Sequence, residues 1–157
     1  MDYSKIGPLR PGWGSLYQGG VADPAGLRAI QGPPLWLVCM NHGEVDDSYI
    51  DGHPVLGLTV VAIEDSSDAT LPDQLVIAGA YADAFVMRSG CGLVAHCAAG
   101  VSRSSYRNLA TIMLVEHLDF AAALAFLRHH RPQANPNPGF VDQLRKLEAQ
   151  LLAGQVP

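Results

Sequence analysis

The stretch "LVAHCAAGVSRSS", residues 93–105, decides how the chain is to be read. Leu93 to Ala95 are apolar without alternation, which is the pattern of a strand covered on both faces in a parallel sheet. Small or moderate residues follow Cys97 as far as Ser102. From Ser102 to about His117 the apolar positions recur at helical spacing. Strand, loop and helix in that order place the loop at the carboxyl end of a sheet, where α/β proteins bind ligands.

Working outward, Leu35 to Met40 and "GLTVVAI", residues 57–63, are continuous apolar runs and read as strands buried on two faces. "SLYQGG", residues 15–20, follows a Gly- and Pro-rich start and reads as a short edge strand and turn. "DPAGLRAI" reads as a short helix with Asp23 as N-cap and Pro24 at the first helical position. The polar "NHGEVDDSYIDGHP", residues 41–54, is a loop or carries an edge strand. Pro72 to Ser89 has helical spacing, with Leu75, Val76, Ala80, Phe85 and Met87 prominent. A helix from Asp119, its N-cap, to about His130 precedes the Pro/Asn-rich "RPQANPNPG". Pro138 starts a last helix through Leu152, with Val141, Leu144, Leu147 and Leu151 on one stripe. The expected fold is α/β. It is a single domain over residues 1–157, with a central, mostly parallel sheet flanked by helices and a phosphate-binding loop between a strand and a helix.

Composition narrows the function classes. Apolar residues make up 48% of the 157 and charged residues 16%, enough for a sizeable core and unlike a disordered chain. The net charge is −5 with no basic block, which argues against nucleic acid and against anionic membranes as partners. "MDYSKIGPLRPGWG" has no basic region leading into an apolar one, so no signal peptide is expected. No apolar run reaches about 18 residues, so no spanning helix is expected either. Three cysteines do not make a disulfide framework, and a reducing, cytoplasmic setting is the expectation. No cluster has metal-ligand spacing, and neither a metal nor a cofactor is expected.

The loop itself specifies an anion site. Ala98, Ala99, Gly100 and Val101 leave room for successive backbone N–H groups to turn inward as a nest. Gly100 can take a left-handed conformation. The following helix offers free amides and a positive dipole end. Cys97 stands at the mouth of this cup, where such surroundings favour a thiolate. Ser104 is placed to donate to the sulfur. Arg103 can fold a planar fork back over the cup and hold two oxygens. Together these suit a phosphoryl group attacked by sulfur in line behind phosphorus. Expelling the leaving oxygen needs a proton donor on a neighbouring loop. Residues 64–73, "EDSSDATLPD", offer Glu64, Asp65 and Asp68, in a segment that also reads as an ordinary solvated loop with a cap at Asp73.

The arrangement His96-Cys97-x5-Arg103-Ser104 resembles the signature of the cysteine-dependent protein tyrosine phosphatases. "LYQGGVAD", residues 16–23, and "NPNPGFVDQL", residues 135–144, resemble blocks of the small dual-specificity branch. The resemblance runs from about residue 15 to residue 152. It implies a phosphorylated protein or peptide as substrate, phosphate-like oxyanions as inhibitors, and a cysteinyl-phosphate intermediate. In that branch the acid lies about thirty residues before the cysteine. Here 97 − 65 = 32, which favours Asp65, with Asp68 second and Glu64 third. The phosphate-binding set implied is Ala98, Ala99, Gly100, Val101, Ser102 and Arg103. His96 points to the opposite face from Cys97 by strand alternation, so it is not expected to act as a base. The resemblance implies that it orders the loop by hydrogen bonding and supports the low thiol pKa, with a plain packed histidine as the alternative.

Other residues are given plainer roles. Arg107 is expected in a solvent ion pair, with contact to a second substrate charge as the alternative. Cys39 and Cys91 are core or turn residues. A redox partner for Cys97 is considered only for Cys39, because a strand separates Cys91 from the loop. Asn137 caps the last helix, and contact of Asn135 and Asn137 with the site loops is left open. Trp13 and Trp36 pack. His129, His130 and Arg131 complement a helix dipole. Three rival readings remain. One is a catalytically silent phosphate-binding module. Another is a sulfur-transfer enzyme. The third is a phosphatase of phosphoinositides or RNA 5′-phosphates, disfavoured because Ala98 and Ala99 are uncharged and no basic path is visible.

Overall fold

The computed structural model describes residues 3–20, 24–41 and 54–153. Five strands, β1 (Tyr3–Pro8), β2 (Ser15–Gly19), β3 (Leu35–Cys39), β4 (Val55–Val60) and β5 (Gly92–His96), form one sheet in the order β1-β2-β5-β3-β4. Only the β1–β2 pairing is antiparallel; the other three are parallel. The helices are α1 (Pro24–Ala29), α2 (Asp73–Arg88), α3 (Arg103–Glu116), α4 (Phe120–His130) and α5 (Pro138–Leu152). Strand alternation divides the core. Leu16, Val38, Leu93 and Ala95 pack with α2, α3, α4 and α5 on one face. Tyr17, Leu35, Leu37 and Val94 pack with Leu27 of α1 on the other.

The central expectation holds: Leu93 to Ala95 are wholly buried in the middle strand, and the loop after it leads into α3. Asp119 caps α4 by accepting from the Ala122 N–H at 2.8 Å, and Asn137 caps α5 by accepting from the Phe140 N–H at 3.0 Å. Several expectations are corrected. β2 is interior, because Tyr3–Pro8 adds an edge strand beside it. β4 is the other edge of the described sheet and is only half-buried, with Leu56 and Val60 exposed. In α2 the buried stripe is Val76, Ala80, Asp83 and Met87, whereas Leu75 and Phe85 face solvent. Asp73 does not cap α2, since its carboxylate accepts from Gln143 Nε2. The expected N-cap Asp23 and the 42–53 segment lie outside the described residues. Among the described residues no single helix is long and apolar enough to cross a membrane.

Candidate active site

The end of β5 delivers Cys97 to the start of α3. The Cys97 N–H donates to Gly19 O at 3.3 Å, which continues the β2–β5 ladder one residue into the loop. The chain then turns through Gly100 at φ 67°. A Cβ there would lie 2.6 Å from the Gly19 carbonyl carbon and would also collide with Arg131, so glycine is required on two counts. The turn brings α3 back over the strand, and the Ser104 N–H donates to Cys97 Sγ at 3.4 Å. Ser104 Oγ lies 3.3 Å from the same sulfur. Cys97 is buried at the base of the loop, and Ala98 and Ala99 are exposed at its rim. Ser102 stands at the N-cap position of α3 without bonding its own helix; its Oγ accepts from the Asn137 N–H at 2.9 Å.

The acidic loop is brought to the same place. Arg103 Nη1 donates to Ile63 O at 3.0 Å, two residues before Asp65. Asp65 Oδ1 accepts from Asn137 Nδ2 at 2.9 Å. Asn137 thus contacts three elements at once: the cysteine loop through Ser102, the acidic loop through Asp65, and its own helix through the cap. Asp68 has no such link; its backbone N–H donates to Ser66 Oγ at 3.3 Å, within the loop. Further along, Gln143 Nε2 donates to Leu71 O, and Tyr106 Oη accepts from the Leu71 N–H while bonding Gln143. The Tyr106 ring stacks on Phe140 at 4.1 Å. Burial pushes the Tyr106 phenol up to about 12, so this contact is structural at neutral pH.

His96 is buried on the opposite side of β5 from Cys97, in register with Cys39 of β3. Burial brings its imidazole down to about 4, which keeps it neutral and unsuited to act as a base on the thiol. Cys39 shares the Leu35 and Leu37 face by alternation, whereas Cys97 packs with Val38 and Met40 on the other face. A disulfide between them would need one strand end to rotate. Burial also pushes the Cys39 thiol up, which holds it in its unreactive form. Cys91 sits at the far end of β5, its thiol donating to Pro34 O at 3.1 Å. Among the described residues no three metal-ligating side chains come together.

Two assignments change. Arg107 is in neither a solvent pair nor the site: it is buried in a bidentate pair with Asp83 at 2.7 and 2.9 Å. Arg131 does more than complement a dipole. It is 1% exposed, and Nε donates to Gly100 O at 2.7 Å while Nη1 reaches Ser4 Oγ and Gln18 O. Gln18 Nε2 also donates to Gly100 O and to Ser105 Oγ, and its own Oε1 accepts from Asn108 Nδ2 at 3.0 Å. The Gly100 carbonyl thus accepts from both Arg131 and Gln18. Sequence reasoning missed them because each sits on a different element. The one available signal was a glutamine inside an apolar strand, where a buried amide needs partners.

Comparison with known proteins bears on the same residues. A family model described as "Dual specificity phosphatase, catalytic domain" matches residues 38–150. The "MAP kinase phosphatase with leucine-rich repeats protein 3" of Dictyostelium discoideum is 41% identical over 69 residues, which are 44% of this chain and 8% of that protein. The "Dual specificity protein phosphatase 4" of Gallus gallus is 31% identical over 116 residues, 73% of this chain and 28% of that protein. The chain therefore spans less than a third of either relative. A mouse putative dual specificity phosphatase, crystallised with zinc tungstate, superposes with a TM-score of 0.80 at 23% identity, covering 99% of this chain and 91% of that one. At that identity the likeness speaks to the fold.

Proposed function

The chain belongs to the family of dual specificity phosphatase catalytic domains, and from that premise we propose that it hydrolyses phosphotyrosine in proteins through a cysteinyl-phosphate, with phosphoserine and phosphothreonine as further substrates. One observation carries the reading: the sulfur, the arginine and the acidic loop converge, with Ser104 on Cys97 Sγ, Arg103 on Ile63 O and Asn137 joining Ser102 to Asp65. The Cys97 thiolate attacks phosphorus as the bond to the leaving oxygen breaks, and Asp65 gives that oxygen its proton. In the second step water attacks phosphorus, Asp65 takes up the water's proton, and the S–P bond breaks. The Ser104 hydroxyl turns to donate to the departing sulfur. Arg103 and the N–H groups of Ala98 to Ser102 hold the equatorial oxygens through both steps. His96 supports the loop from beneath.

β1 and β2 lie outside the matched span of residues 38–150, yet they supply Ser4 and Gln18 to the loop's support. We read the catalytic unit as one domain that includes β1 and β2. A phosphate-like oxyanion, such as the tungstate crystallised with the mouse protein, is expected to fill the cup and inhibit. The three unpaired thiols suit a reducing, cytoplasmic setting.

The test is hydrolysis of a small aryl phosphate by the wild type and by Cys97→Ser, Arg103→Ala and Asp65→Asn. Cys97→Ser should be inactive, and Arg103→Ala reduced by at least about a hundredfold. Asp65→Asn should lose about a hundredfold on poor leaving groups and lose the alkaline limb of the pH profile, since a proton donor works only while it holds its proton. Turnover surviving in Cys97→Ser would overturn the mechanism. A normal profile in Asp65→Asn would move the acid to Asp68. Paired phosphotyrosyl and phosphothreonyl peptides then define the specificity.

A further inference from the structure

Beside the candidate active site the first turns of α5 border an open groove of about 420 Å³, lined by Asn135, Pro136, Asn137, Val141, Asp142 and Arg145 among others. The groove is continuous with the loops just described. The Asn135 N–H donates to Val101 O at 2.8 Å, and Asn137 touches both Ser102 and Asp65. Its near end is therefore the rim of the phosphate cup. Its far end is Arg145, eight residues along the helix from Asn137, or about 12 Å.

The charges in the groove are not balanced. Asp142 is taken up by Lys146 at 3.3 Å, one turn on. Glu148, the next acidic residue on the helix, accepts from the Phe120 N–H at 2.8 Å and so caps α4. Among the described residues no carboxylate pairs with Arg145. Its guanidinium instead lies over the Phe120 ring, 5.0 Å from the centroid. A cation held over a ring face is restrained in position while its N–H groups stay available to a planar or tetrahedral anion. Pro136 and Val141 supply apolar walls. Glu64, Asp65 and Asp68 are all exposed on the loop that meets the groove's near end through Asn137, and they would repel an acidic side chain there, which leaves the Arg145 end for it.

Resting on the phosphatase reading above, we propose that this groove is a substrate subsite in which Arg145 binds an acidic group on the peptide, three or four residues from the phosphorylated one. The spacing follows from an extended chain advancing about 3.3 Å per residue over those 12 Å. The acidic group is a carboxylate or a second phosphate, since both fit the same fork.

The experiment uses phosphotyrosyl peptides in which one glutamate is walked from two to five residues away on either side, with a matched glutamine reference. A second series carries phosphoserine in place of glutamate. For the wild type, kcat/KM should be about fivefold higher for glutamate than for glutamine at the matching position. That ratio should fall to about one in Arg145→Ala and below one in Arg145→Glu. The charge reversal inverts the preference only if the residue meets the acidic group, so a general folding defect would not reproduce it. A ratio equal in the wild type and both variants would overturn the subsite. A gain larger for phosphoserine than for glutamate identifies a doubly phosphorylated substrate; equal gains identify a carboxylate. Failure of the wild type on a small aryl phosphate would instead overturn the phosphatase reading itself.

Discussion

At residue scale the loop depends on groups contributed from distant parts of the chain. Gly100 holds φ 67°, and its carbonyl is claimed by both Arg131 and Gln18. A carbonyl held by two donors fixes the turn of the loop, so its backbone need not reorganise to receive an anion. His96 carries a consequence for stability. Its folded value is about 4 against an ordinary 6.5, so as pH falls through that window the unfolded chain takes up the proton first. Stability should be fully present above about 6.5 and decline toward pH 4, by about 3 kcal/mol in all. Urea unfolding at pH 7 and pH 4.5 checks this. The wild type should lose more than His96→Asn between the two, and equal losses would rule out His96 as the source. The candidate residues from Cys97 to Ser104 were legible because one continuous stretch carries them. Arg131 was not, because its partners are 31, 113 and 127 residues away along the chain.

At the scale of elements, the start of α5 does the joining. Its cap residue bonds two loops. Gly139 packs so close to Ser67 that a side chain there would collide with the loop backbone. The acidic loop is thus seated on α5 from Asp65 to Leu71. Asn137→Ser keeps an oxygen for the cap but has no donor that reaches Asp65. Its kcat should fall about tenfold on an aryl phosphate with a poor leaving group and less on one with a good leaving group. Asn137→Ala should show the same contrast and lose about 1 kcal/mol of stability as well. Equal falls on both substrates would mean that Asn137 does not act through the acid. The cap was readable from Asn137-Pro138, but the second bond depended on where a loop 72 residues away comes to rest.

Across the whole molecule, α2 and α3 are locked by Asp83 and Arg107, both buried, and Gly79 leaves the space the guanidinium fills. Asp83→Ala strands a buried cation and should cost about 3–5 kcal/mol in urea unfolding. Replacing both partners, as Asp83→Leu with Arg107→Met, should recover most of that loss. A double variant as unstable as the single one would show that the pair is more than a packing alternative. Arg107 looked like a solvent residue because helical spacing says which face a side chain is on and not what covers that face. The edge position of β4 was hidden for a similar reason: an apolar run signals burial in general and is silent about strand order. By itself the sequence determined the strand–loop–helix unit around Cys97, the capped helices and the mostly parallel sheet, since these follow from local periodicity, capping chemistry and glycine. Only the tertiary structure decided which carboxylate Asn137 bonds, what holds the Gly100 carbonyl, and that Cys39 pairs in register with His96. Those outcomes depend on bonds between distant segments, and the order in which strands pair sets which segments meet.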